Sequence, residues 1–193
     1  MQKSERTHGY LPHWNGRYVF VTFRLADSLP LYAMKEIKAF DERWLAEYAD
    51  KWTEQVELEY QRNRAVLGNE LLDKALGSCI LKREEVREAL ISVMMHFDKV
   101  RYRMHAYVVM PNHVHLLLET FEGLRMQDVM RSLKGYSARV INEMLGRRGK
   151  VWARESYDRF IRDEQHFYKV LRYIQNNPRH CAPDEFALYV REV

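Results

Sequence analysis

The sequence predicts an α+β domain, an antiparallel sheet covered by helices. Two extended runs flank Pro111-Asn112 in "VRYRMHAYVVMPNHVHLLLET", which is the pattern of a β-hairpin. Helical periodicities stand on both sides of that hairpin. The resulting order, β-α-α-β-β-α-β-α, does not alternate as a parallel βαβ chain would, so the sheet is expected to be antiparallel. A chain of 193 residues suits one domain, 1–193, with residues 31–76 as a helical elaboration.

Each element has its own signal. "RYVFVTFRL" is β-branched and aromatic and puts Val19, Val21, Phe23 and Leu25 on one face. From Leu31 to about Leu72 the chain is charged and helix-favouring, and "EIKAFDERWLAEYADKWTEQVELEYQRN" contains no Gly or Pro. This predicts one long helix, whole or broken, whose acidity marks it as peripheral. Val86, Ala89, Leu90, Val93, Met94 and Phe97 follow helical spacing. In the hairpin turn Pro111 sets φ at the first central position, and Asn112 tolerates φ > 0 at the second. Met126, Val129, Met130, Leu133, Ser137, Val140, Ile141 and Met144 line a further helix. A basic loop, "GRRGKVW", and a short strand, "YDRFIRD", come next. The last helix starts at the N-cap Asp163 and ends at Asn177, because Pro178 disfavours the α conformation in the residue before it.

Composition narrows the function classes. No run of about 18 apolar residues exists, so a membrane span is not expected. The N-terminus lacks the apolar core of a secretory signal, and Cys79 and Cys181 form no CxxC pair. A cytoplasmic, nucleoid-associated location follows as the expectation. Charge is uneven. Residues 125–154 hold eight Lys/Arg against Asp128 and Glu143, whereas residues 35–62 hold eight acids and five bases. The basic stripe points to a polyanion.

His113 and His115 raise a sharper question. Side chains alternate along a strand, so the two imidazoles and Leu117 share one face, while Val114, Leu116 and Leu118 take the other. Two imidazoles at i and i+2 can converge on one ion. They can equally form a hydrogen-bonded pair on a half-exposed sheet. On the last helix, Phe167, Val170, Leu171 and Ile174 form the core stripe, and Tyr173 and Asn177 share a face at its rim.

Together these residues resemble a family. "VVMPNHVHLLLE" is similar to the histidine–hydrophobe–histidine motif of single-tyrosine HUH endonucleases. With "LPHW", "YVFVTFRLADSLP", "GKVWARESYDRFIRDEQHF" and "YIQNNP", the chain resembles the REP-associated tyrosine transposases. The resemblance implies a ferredoxin-like core with the nucleophile Tyr173 on a helix. It also implies metal ligands His113, His115 and Asn177, and Mg²⁺ or Mn²⁺ as the cofactor. Chemistry alone would point two imidazoles toward Mn²⁺, Zn²⁺ or Co²⁺. The implied activity is metal-dependent cleavage and rejoining of hairpin-bearing single-stranded DNA through a 5′-phosphotyrosine. A non-catalytic nucleic-acid binder on the same sheet is the alternative. A metal-dependent hydrolase ranks third, because no carboxylate sits beside the histidines to serve as base. DNA contacts are expected at Arg131, Lys134, Arg147, Arg148, Lys150, Arg154 and Trp152, with Tyr157, His13 and Trp14 as further candidates. Tyr136, the competing tyrosine, has Val140 one turn on and reads as packing. Either a monomer or a homodimer fits.

Overall fold

The computed structural model describes residues 17–192. His13, Trp14 and the "LPHW" segment lie outside the described residues. Strand β1 (Tyr18–Arg24) leads into helices α1 (Leu31–Tyr48), α2 (Glu54–Asp73) and α3 (Glu84–Phe97). The hairpin β2 (Tyr102–Val109) and β3 (His113–Thr120) follows, then α4 (Met126–Met144), β4 (Tyr157–Phe160), α5 (Glu164–Asn176) and β5 (Ala187–Val190).

The ladders between these five strands are all antiparallel, and the strand order is β4-β1-β3-β2-β5. The first four positions of that order give the expected ferredoxin-like sheet, with β5 added at one edge. The alternation read from the sequence sorts the two faces. Val19, Val21 and Phe23 join Val114, Leu116 and Leu118 against Leu90 and Met94 of α3 and Val129 and Leu133 of α4. The opposite face carries Phe20, Ala106, Val108 and Leu117 against Phe167, Val170 and Ile174 of α5. Helix α5 is fixed at its start by Asp163, whose carboxylate accepts from the His166 N–H at 2.7 Å, a cap worth about 1 kcal/mol.

The acidic segment takes the broken form, as α1 and α2, and the side chain of Thr53 caps the second helix by accepting from the Val56 N–H. Leu29 and Ala33 at the start of α1 pack on Leu71 and Leu72 at the end of α2, so the two helices fold back on each other. Strand β5 has no counterpart in the sequence reading. "ALYV" is four half-exposed residues without a turn signal, held by pairing to β2 and by Arg191, whose guanidinium donates to Asp98 and to the Met104 carbonyl. In the hairpin turn, Asn112 is absent from the positive-φ positions. The turn closes through Met110 N–H to His113 carbonyl at 2.8 Å, and Asn112 is fully buried for its side chain, not its backbone freedom.

The exit of α2 is pinned to the end of β1. Gly77, at φ +86°, lies so close to Asp27 that a Cβ would stand 2.5 Å from its carbonyl oxygen. The Ser78 N–H donates to the Asp27 carboxylate at 2.8 Å. Only glycine suits that contact. It brings the last residues of α2 beside the hairpin turn.

Candidate active site

His113 and His115 point from β3 to the face covered by α5, and both are buried, with 1% and 0% exposure. The pair is therefore interior, not half-exposed. The Asn112 amide settles the protonation of His113. Its Nδ2 donates to the Leu76 carbonyl at 3.0 Å, so its Oδ1 accepts from His113 Nδ1–H at 2.8 Å. That leaves a lone pair on His113 Nε2. His115 is held by Thr22, whose Oγ1 lies 2.7 Å from Nδ1, and it stacks on Phe20 at 5.4 Å. The two Nε2 atoms are 3.1 Å apart. Burial lowers both imidazoles, pushing His113 down to about 3 and His115 well below its usual range, where the charge of His113 adds to the effect. Both rings are neutral at physiological pH, the state in which imidazole ligates metals.

Helix α5 brings Tyr173 to the same point. Its hydroxyl lies 3.4 Å from His115 Nε2, and its ring packs edge-on to His115 and Phe20. Burial raises the phenol well above its ordinary range. The charge of Asp73 adds to this, and the neighbouring Asn177 amide works in the opposite sense. Asn177, one turn on, has a buried Oδ1 with no hydrogen-bond partner. Asn177 neighbours Tyr173, which itself reaches His115, and an amide oxygen with two neutral imidazoles is a donor set of the kind that holds a divalent ion. Cis ligands at about 2.1 Å from an octahedral ion stand about 3 Å apart, which suits the spacing of the two Nε2 atoms.

The sequence reading missed one residue here. Asp73, the last of α2, places Oδ1 3.9 Å from His113 Nε2. A carboxylate does stand beside the histidines, contrary to the argument that ranked a hydrolase low. It arrives from 40 residues upstream, where no local pattern could announce it. Burial raises its pKa, against the charges of His180 and Arg179.

The expected DNA-binding residues are scattered. Arg131, Arg148, Lys150 and Arg154 are exposed and Arg147 is half-buried. Helix α4 covers the face of the sheet opposite the histidines. Arg131 pairs with Asp128, and Lys134 Nζ donates to the Arg154 and Glu155 carbonyls. Trp152 is corrected outright. It is 6% exposed, packs against Phe23 at 4.8 Å and donates its indole N–H to Ser137, so no face is free for a base. Tyr136, 46% exposed, sits on α4 against Phe97, away from the histidine pair. The sequence did not single out Arg159, Arg162 and Lys169. They line a cleft of about 800 Å³ with Tyr157, opposite Trp52, Glu54 and Glu57 of the helical hairpin. Lys169 lies one turn before Tyr173 on α5, but neither Tyr173 nor the histidines line this cleft.

Residues 79–177 match the family model described as "Transposase IS200 like". That segment spans just over half the chain and contains His113, His115, Tyr173 and Asn177. The chain belongs to the IS200-like transposase family. An uncharacterized protein of Haemophilus influenzae is 30% identical over 128 residues, covering 54% of this chain and 68% of that protein. Among solved structures, a REP-associated tyrosine transposase bound to a REP hairpin is similar at 16% identity and TM-score 0.46, over 98% of this chain and 94% of that one. A protein assigned as a transposase from Deinococcus radiodurans R1 gives 15% identity and TM-score 0.40, over 90% and 97%. Among the described residues, no helix is long and apolar enough to cross a membrane.

Proposed function

We propose that the protein cleaves and rejoins single-stranded DNA, with Tyr173 as the nucleophile, at sites associated with REP-type hairpins. The observation that carries this reading is the meeting of the Tyr173 hydroxyl with the buried His115–His113 pair, with the orphaned Asn177 oxygen one helical turn on. The phenolic oxygen forms a bond to phosphorus as the bond from phosphorus to the 3′-oxygen breaks. The product is a 5′-phosphotyrosine and a free 3′-OH. The proton lost by the phenol balances the one gained by the 3′-oxygen, so no water is consumed and the step is reversible. His113, His115 and Asn177 would hold Mg²⁺ or Mn²⁺, which when bound supplies charge neutralisation at the scissile phosphate. Asn112 and Thr22 fix the two rings, and Phe20 holds His115 and Tyr173 in register. Burial raises the phenol above its ordinary range, so attack requires the proton to be taken as the bond to phosphorus forms.

The decisive experiment incubates the protein with end-labelled, hairpin-bearing single strands and Mn²⁺, followed by denaturing electrophoresis. A covalent protein–DNA band is expected. Tight binding without any adduct would make the protein a non-catalytic nucleic-acid binder.

The strand is proposed to reach Tyr173 along the cleft lined by Arg159, Arg162 and Lys169. The α4 stripe with Arg147, Arg148 and Lys150 serves the hairpin stem. Arg159→Ala with Arg162→Ala is expected to weaken binding of unstructured single strands. It should also flatten the log–log salt dependence by about 0.7 per lost phosphate contact. Arg147→Ala with Arg148→Ala should flatten it only for hairpin-bearing DNA. Wild-type slopes in both variants would place the DNA elsewhere.

A further inference from the structure

We infer that the pocket between the helical hairpin α1–α2 and the β1–β4 edge of the sheet holds one nucleotide of the DNA strand, with Arg24 on its phosphate. The nucleotide is the one beside the phosphate that Tyr173 attacks, so the inference rests on the reading of this face as the place where single-stranded DNA is cut. Apart from Glu155, Ser156 and Tyr157, the pocket is lined from outside the residues that match the family model.

Strand register puts the pocket next to the histidines. Arg24 stands opposite His113, and Thr22 opposite His115, across the β1–β3 ladder. On the other side of β1, Tyr157 stands opposite Thr22. Residues paired across a ladder share a face, so these side chains belong to the face that carries α5. Neighbouring strands lie about 4.8 Å apart, which sets Arg24 and Thr22 one strand away from the imidazoles. Thr22 reaches His115 directly, at 2.7 Å. Thr22, Arg24 and Tyr157 line a pocket of about 540 Å³, within the size range of ligand sites. Gln61 and Tyr157 line both this pocket and the cleft of Arg159, Arg162 and Lys169, so the two adjoin.

The walls have the chemistry of a nucleotide site. Leu29, Met34, Ile37 and Leu72 offer apolar surface to a base. Gly68, inside α2, also lines the pocket, and a Cβ there would meet no atom within 4 Å, so the glycine leaves room. Among the cations, Arg64 is paired with Asp41 at 2.9 Å and Lys38 with Glu42 at 3.3 Å. Arg24 forms no ion pair among the described residues. Its Nη1 donates to Ser28 Oγ at 3.2 Å and to the Leu25 carbonyl at 3.5 Å. The edge formed by Nε and Nη2 has no acceptor among the described residues, and that edge matches two oxygens of a phosphate. Burial lowers the Arg24 pKa from its ordinary value, and the charge of Glu155, exposed at the rim, opposes this. A half-buried guanidinium without a bonded anion favours one brought by a ligand.

The test is fluorescence anisotropy of the full-length protein at several salt concentrations, run beside the Mn²⁺ adduct assay. The probe is a fluorescein-labelled DNA hairpin with an unpaired tail of mixed sequence. Arg24→Gln removes the charge and keeps an amide donor for Ser28. It is expected to weaken binding about tenfold and to flatten the log–log salt dependence by about 0.7. Arg24→Lys should recover the slope without the full affinity, because an ammonium cannot grip two oxygens side by side. Gly68→Leu fills the pocket, suits a helix better than glycine, and should weaken binding by a similar factor. Combining Arg24→Gln with Gly68→Leu should weaken it little further, since both act on one nucleotide. Circular dichroism checks each fold. If Arg24→Gln does not fold, single methylphosphonate linkages scanned along the tail replace it, and one linkage should give the same loss. Wild-type affinity in both variants, or at every linkage, would overturn the inference, and an adduct in the wild type would then leave the cleavage reading standing. Losses that multiply in the combined variant would overturn it too, placing Arg24 on DNA outside the pocket. So would weaker binding by Arg24→Gln at an unchanged slope, which reduces Arg24 to a support for the β1 corner. The expected losses without any wild-type adduct would support the pocket and overturn the cleavage reading.

Discussion

Tyr173→Phe is expected to reduce DNA cleavage and the covalent adduct to background together, while leaving DNA and Mn²⁺ binding within about twofold of wild type. The substitution removes one oxygen. The ring stays edge-on to Phe20 at 5.7 Å and to His115 at 5.2 Å, so packing is retained. The lost hydroxyl sits 3.4 Å from His115 Nε2, a long contact, and its removal should cost no more than about 1 kcal/mol. A fall in activity therefore cannot be traced to unfolding. Tyr136→Phe is the matched control, a tyrosine on α4 behind the sheet, and should keep full activity. An adduct that survives in Tyr173→Phe but disappears in Tyr136→Phe would reassign the nucleophile. An adduct indifferent to both would remove tyrosine from the mechanism.

What the sequence disclosed about this site follows from the range of its signals. Strand alternation and helix spacing are local, so the shared face of His113 and His115 and the pairing of Tyr173 with Asn177 were legible within a few residues. Their meeting required the family resemblance, because periodicity cannot say which strand face a distant helix will cover. Asp73 was invisible for the same reason: the last turn of an acidic helix looks like any solvated surface until Gly77 and Leu72 dock it. Trp152 failed in the opposite direction. An aromatic residue in a basic loop suggests base stacking, but Ser137, read correctly as part of the α4 stripe, turned out to be its hydrogen-bond acceptor. Charge was the weakest guide. It marked α4, yet a cleft on the other side of β1 gathers Arg159, Arg162 and Lys169, which come from β4, the segment after it and α5 and form no run.

His113→Ala with His115→Ala is expected to abolish divalent-ion binding, and it should not leave stability untouched. On a half-exposed sheet, the reading the sequence left open, truncating these residues would be cheap. Both are fully enclosed, and the change removes the ring stacked on Phe20 and strips partners from Thr22 Oγ1 and Asn112 Oδ1. Cavities and unpaired polar atoms of this kind cost about 2–5 kcal/mol, a large share of a total stability of about 5–15 kcal/mol. The metal-free difference between variant and wild type should fall in that range, and adding metal should widen it. Mn²⁺ at 100 times its dissociation constant stabilises a protein that binds it only when folded by about 2.7 kcal/mol. The wild type should gain that amount and the double variant nothing. Urea unfolding of both proteins, with and without Mn²⁺, reads the two effects separately. An equal Mn²⁺-induced shift in the double variant would mean that the ion binds somewhere other than between these histidines.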